Sequence, residues 1–137
     1  MNVSKRILVL PALATCLLCY AGSVFAADVE ANKKRGQVYY RMVCTVCHMQ
    51  TTGESIPPAS RTMAEWRSYF DADTHDATGQ SNASVRYYTS QAYRETIKDQ
   101  NKAARKFLKL SDEQIFADVR EFAVNGAKDS DTPATCN

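Results

Sequence analysis

Proline and glycine are scarce, four and five respectively in 137 residues. Few breaks are therefore available to punctuate a many-stranded sheet. No segment alternates apolar and polar residues as a half-buried strand does. Internal repeats and low-complexity blocks are missing too. An excess of one charge is also absent: 17 Lys and Arg stand against 15 Asp and Glu, which gives a nucleic-acid role no support. Histidine occurs only twice, at His48 and His75. Beyond the leader there is one close cysteine pair, where a structural zinc site typically takes four ligands and often two such pairs.

The one long apolar run lies at the start. Lys5 and Arg6 precede Ile7 to Ala21, and Val24-Phe25-Ala26 sets small residues where a signal peptidase reads. This pattern predicts an export signal over 1–26, cleaved after Ala26, and a periplasmic location. The run is short for a membrane span, so no span is expected after cleavage. Losing Lys5 and Arg6 brings the 17 basic residues level with the 15 acidic ones. The mature chain is long enough for one small domain, expected over 27–131 with a loose tail at 132–137. Cys136, in that tail, reads as a free terminal thiol, or else as half of an intermolecular disulfide.

The stretch VCTVCHMQ, residues 43–50, carries the chemistry. A thioredoxin-like dithiol calls for a βαβ context, and both flanks read as helical. C-x-x-C-H is the specific signal for covalent attachment of haem c. Cys44 and Cys47 stand three apart, on one side of a helical turn, so both thiols reach the same macrocycle. His48 then presents its imidazole to the iron. A large apolar group would also supply the interior that so small a chain has difficulty building.

The remaining pattern is helical. Residues 28–41 read as an amphipathic first helix with Val29, Gly36, Tyr39 and Tyr40 inward. Residues 49–60 read as a loop. Thr62 and Glu65 form a capping box for a short helix bearing Met63, Trp66, Tyr69 and Phe70. Trp66 is read as core, with its indole N–H also able to meet a haem propionate. Residues 71–84 read as a polar loop, with Asp71, Asp73 and Asp76 expected to serve its solubility in preference to a cation site. One helix is expected within 84–108, with Tyr93, Ile97, Ala104, Phe107 and Leu108 on one face. A second capping box, Ser111 with Gln114, opens a last helix through Ile115, Phe116, Val119, Phe122 and Ala123, ending near Gly126. The expected fold is all-α: about four helices around one covalent haem.

GQVYYRMVCTVCH and LSDEQIFADVREF resemble the first and last helices of the small bacterial class I cytochromes c. Gly36 stands eight residues and Tyr40 four residues before Cys44. The resemblance implies that these two helices cross, with Gly36 and Tyr40 against Ile115 to Phe122. It also implies that Pro57, nine residues after His48, accepts the imidazole N–H on its carbonyl, which fixes the tautomer. The family's distal methionine is missing from KDQNKAARKFLKLSDE, residues 98–113. His75 is the first candidate for the sixth ligand and Met63 the second. Lys102, Lys106, Lys109, Asn101 and an open site come after these. The basic run of Arg94, Lys98, Lys102, Arg105, Lys106 and Lys109 is either a steering face for an acidic partner or a solvated helix.

These features lead to the expectation of a periplasmic monohaem carrier, not an enzyme. It would pass single electrons between redox partner proteins, alone or as a subunit of a larger complex. The alternative is a haem protein with an open iron that binds or reduces NO, CO or peroxide.

Overall fold

The computed structural model describes residues 29–75 and 82–135. The expected leader, Asp76 and Cys136 lie outside the described residues. Every regular element among those described is helical, so the chain is all-α. No described helix is long and apolar enough to cross a membrane.

Helix α1 spans Lys33–Tyr39 and starts at Asn32, whose side chain accepts the Arg35 amide. It does not begin at Asp28, and Val29 is exposed, not inward. The chain then continues without a break through a π-turn, Tyr40–Thr45, into α2, Val46–Thr51. No glycine or proline interrupts residues 37–52, so one rod carries Gly36, Tyr40 and the whole cysteine motif. It ends where Gly53 takes a left-handed φ of +75°, a conformation that suits glycine. The expected loop thus starts three residues later, after Thr51, and contains a short 3-10 turn at Pro58–Ser60.

Helix α3, Met63–Asp71, has the expected capping box: Thr62 and Glu65 each bond the other's backbone amide. Hydrogen bonds from Thr62 hold the Glu65 carboxyl below the ordinary carboxylate range. The single helix expected within 84–108 is instead three: α4 Val85–Thr89, α5 Gln91–Ile97 and α6 Lys102–Lys106. Ser90 ends α4 and caps α5. Asn101 caps α6 through the amides of Ala103 and Ala104. Short polar side chains thus supply the breaks, by bonding backbone amides at helix starts.

Helix α7, Asp112–Asn125, is the central element. Ser111 caps it as expected, but the box is half-formed, because Gln114 reaches back to Glu30 O and Asp118 instead. Gly126 ends the helix at φ −96°. Its small size matters more than its freedom: a Cβ there would lie 2.8 Å from the Cβ atoms of both Ala134 and Pro58. The segment after it was expected loose by composition. Residues 132–135 fold back instead, with Ala134 N–H on Gly126 O at 2.8 Å and Ala59 N–H on Ala134 O at 3.1 Å.

Helices α1 and α7 cross in backbone contact, in the arrangement the resemblance implied for Gly36 and Tyr40. A Cβ on Gly36 would stand 1.9 Å from the Asp118 carbonyl oxygen. Tyr40 meets Phe122 edge to face, with ring centres 5.4 Å apart. The core continues through Tyr39, Trp66, Phe70, Ile115, Phe116 and Val119.

Two buried charges inside this core have no counterpart in the apolar pattern. Asp118 on α7 is fully buried. It accepts the Asn32 amide at 2.7 Å, Arg35 Nη2 at 2.9 Å and Gln114 Nε2 at 3.0 Å, and pairs with Arg35 Nε. Arg94 is fully buried as well. It donates to Thr89 O and, at 2.5 Å, to Leu110 O, so it joins α4, α5 and the start of α7.

Candidate functional site

The rod, the loop after it, α3 and the α4–α5 pair enclose one cavity of about 760 Å³, within the range that holds a large organic ligand. Cys44, Cys47 and His48 line it on one side. The π-turn contains Cys44 and ends two residues before Cys47. Such turns widen a helix locally and recur at functional sites. Threonine hydroxyls hold the end of the rod: Thr51 bonds Cys47 O and Thr52 bonds His48 O, both at 2.9 Å.

The second wall is aromatic. Trp66, Tyr69 and Phe70 come from α3, and Tyr40 from the π-turn. The Trp66 indole N–H is taken by Pro58 O at 2.7 Å, which corrects the candidate contact to a propionate. Tyr40 Oη donates to Ile56 O at 2.7 Å and ties the loop to the rod. Thr51, Thr52, Glu54 and Ser55 form a polar rim. Arg61, which no sequence motif marks, is the one Arg or Lys among the described lining residues. Its guanidinium carbon stands 5.5 Å from the Trp66 ring centre and 5.4 Å from that of Tyr69.

His75, Tyr88 and Tyr93 also line the cavity. The rings of His75 and Tyr88 are 4.6 Å apart. The loop that brings His75 here is closed by Asp73, at φ +49°. Its carboxylate accepts Ser84 Oγ at 2.7 Å and the Arg86 amide at 2.9 Å, and His75 N–H reaches Ala83 O at 2.6 Å. Asp71 pairs with Arg120 at 3.0 Å. These two acids hold structure, and are more than the solubilising residues their loop suggested.

The two imidazoles meet in the cavity, with ring centres 5.6 Å apart and planes at 52°. One metal ion with an imidazole on each side, at bonds of about 2 Å, would set ring centres roughly 6 Å apart. Burial first, and His75 second, hold the His48 pKa below the ordinary histidine value, and neutral imidazole is the form that ligates metal.

Burial also pushes the Cys44 thiol up to about 12, with Cys47 adding to the shift. Cys44 counts as only half-buried by area because it faces the cavity, but it lies deep in the protein. A thiol–disulfide enzyme needs the opposite, a lowered thiol pKa. No cluster of three or more His, Cys, Asp or Glu among the described residues is arranged for a bare metal ion. Two thiols beside one imidazole, a second imidazole facing it and aromatic walls fit a planar apolar macrocycle that brings its own iron.

The other sequence candidates lie elsewhere. Met63 packs partly buried against the core and does not line the cavity. Its amide is held by Asp129 at 2.7 Å, which fixes the start of α3. Pro57 does not line the cavity either, and its carbonyl accepts the Ser60 amide at 2.9 Å. Asn101 is used as a cap and donates to Met42 O at 2.7 Å. Lys102, Lys106 and Lys109 are exposed and away from the cavity. The basic run loses Arg94 to the interior, and Lys98 pairs with Glu95 at 2.7 Å. No protein-family model matches the chain, and neither a curated protein nor a solved structure matches it.

Proposed function

We propose that the chain is a monohaem c-type cytochrome that carries single electrons between redox partners, with His48 and His75 as axial ligands. The observation that carries this reading is the meeting of Cys44, Cys47, His48 and His75 on one aromatic-walled cavity. Haem bound there would supply the one-electron couple of its iron. Cys44 and Cys47 would hold the macrocycle through their two thiols. His48 and His75 would offer one nitrogen each. Trp66, Tyr69 and Phe70 exclude water from one wall. Nitrogen ligation on both sides favours a lower reduction potential than a Met/His pair. Location in an oxidising, exported compartment belongs to the same proposal, through the leader at 1–26.

The test is expression in a host that matures c-type cytochromes, followed by intact mass and ferric and ferrous spectra with and without CO. Haem that resists acid-acetone extraction, lost in Cys44→Ala with Cys47→Ala, is the expected result. Resistant haem in the double variant would refute covalent attachment. A high-spin wild type that takes up CO readily would favour the alternative, an open iron that binds small ligands.

A further inference from the structure

Arg94 is the largest fully buried side chain among the described residues. A guanidinium keeps its charge in a protein, so this is a permanent positive charge in the interior. Its hydrogen bonds go to two neutral carbonyls, Thr89 O and Leu110 O. Its acidic partner is the half-exposed Asp112, 3.5 Å from Nη2. That distance and exposure leave the pair weakly compensated. Nε has no hydrogen-bond partner among the described residues.

The position of this charge is what gives it a further role. Thr89, whose carbonyl Arg94 holds, lines the cavity, and so does the adjacent Tyr93. The guanidinium therefore sits one layer behind the cavity wall. Tyr39 joins the two regions from another side. Its hydroxyl donates to Tyr88 O at 2.7 Å. Burial first and Cys44 second raise its pKa, while Arg94 acts in the opposite sense. One side chain thus feels both Arg94 and the thiol wall.

We propose that Arg94 tunes the redox centre electrostatically: its buried charge behind Thr89 and Tyr93 raises the reduction potential of the iron held in the cavity. The inference rests on the haem reading above. Reduction adds an electron, and a fixed positive charge nearby favours the reduced form. Buried behind protein, the charge is little screened by salt. A unit charge roughly 10 Å away, across an effective dielectric of about 20, changes such an equilibrium on the order of tenfold. The effect opposes the lowering expected from two nitrogen ligands, so the chain sets its potential between the two.

The experiment is a spectroelectrochemical titration of purified, haem-loaded wild type, Arg94→Lys, Arg94→Met and Asp112→Asn, at low and high salt. Arg94→Met should lower the midpoint potential, and Arg94→Lys should stay near wild type. Asp112→Asn removes the partial counter-charge, keeps an acceptor for the Gln91 amide, and should raise the potential. Equal shifts in Arg94→Lys and Arg94→Met would assign the effect to packing and overturn the proposal. If Arg94→Met does not accumulate, Asp112→Asn decides alone, and an unmoved or lowered potential overturns it. Intact mass is read before each titration. A wild type without covalent haem refutes the function itself, and this tuning role with it; loaded haem with unmoved potentials refutes the tuning role alone.

Discussion

Replacing Gly36 with alanine sets two effects against each other. Alanine favours a helix interior over glycine by about 1 kcal/mol, mostly because it leaves the unfolded chain less freedom to lose. Against this, the new Cβ would stand 1.9 Å from Asp118 O, 2.5 Å from Asp118 C and 3.1 Å from Val119 N. All three are backbone atoms of α7, so no rotamer change relieves the clash. The helices must part by more than an ångström. That movement stretches the bonds from Asn32 and Arg35 to the buried Asp118. Overpacking alone typically costs about 1–3 kcal/mol, and a weakened buried ion pair adds to it. The clash should win by about 2 kcal/mol or more, and in a domain this small each kcal/mol moves Tm by roughly 4–8 °C. Urea unfolding of Gly36→Ala beside Gly53→Ala reads the difference. Gly53 has nothing within 4 Å of its Cβ position but sits at φ +75°, so Asn, which tolerates that conformation, should rescue position 53 and not position 36. A Gly36→Ala variant as stable as wild type would mean that α1 and α7 do not touch at this point.

Three further outcomes are expected. His75→Ala should turn a low-spin spectrum high-spin and admit CO; an unchanged spectrum that still excludes CO would remove His75 as ligand. Arg35→Ala leaves the Asp118 carboxylate buried with its partner gone and should cost about 3–5 kcal/mol, nearer the lower figure because the Asn32 and Gln114 bonds remain; a loss within the error of the denaturation curve would contradict the buried Arg35–Asp118 pairing. His48 has a pKa below its unfolded value, so the unfolded state binds more protons, and the stability of the haem-free chain should rise with pH until the unfolded histidine pKa near 6.5 is passed. His48→Gln should flatten that part of the urea-midpoint profile, and an unflattened profile would assign the dependence to other groups.

What the sequence made legible is local or periodic. The Thr62–Glu65 box, the Ser111 cap and the apolar stripe of α7 all arise from spacings within a few turns of helix, whereas the contact of Gly36 and Tyr40 with that stripe was expected only through the family resemblance. The three-way break of 84–108 was harder to read, because Ser90 and Asn101 are unremarkable in a helix until their side chains bond backbone amides. Asp118 and Arg94 were not legible at all. Asp118 is a charge within the apolar stripe of α7 and Arg94 reads as the start of a basic run, and only tertiary partners make burial affordable: Asn32 and Arg35 for the first, Thr89 and Leu110 for the second. A one-dimensional pattern contains neither pairing.

The same distinction runs through the candidate site. Cys44, Cys47 and His48 are adjacent in sequence, so one helical rod is enough to set them on one wall. His75 is 27 positions further on, and nothing in that interval encodes a meeting of the two rings. Tertiary closure brings it about: Asp73 turns the chain at a positive φ, takes Ser84 and Arg86, and leaves His75 against Tyr88 with its amide on Ala83. The side of the cavity away from the cysteine motif is thus set by a carboxylate two residues before the histidine. Asp73→Ala removes both bonds without touching the thiol wall. It should therefore loosen His75 selectively, giving a mixed high-spin and low-spin spectrum while covalent attachment at Cys44 and Cys47 stays complete. A fully low-spin Asp73→Ala protein would show that the imidazole is held by other contacts, and that the Asp73 turn serves only to cap α4.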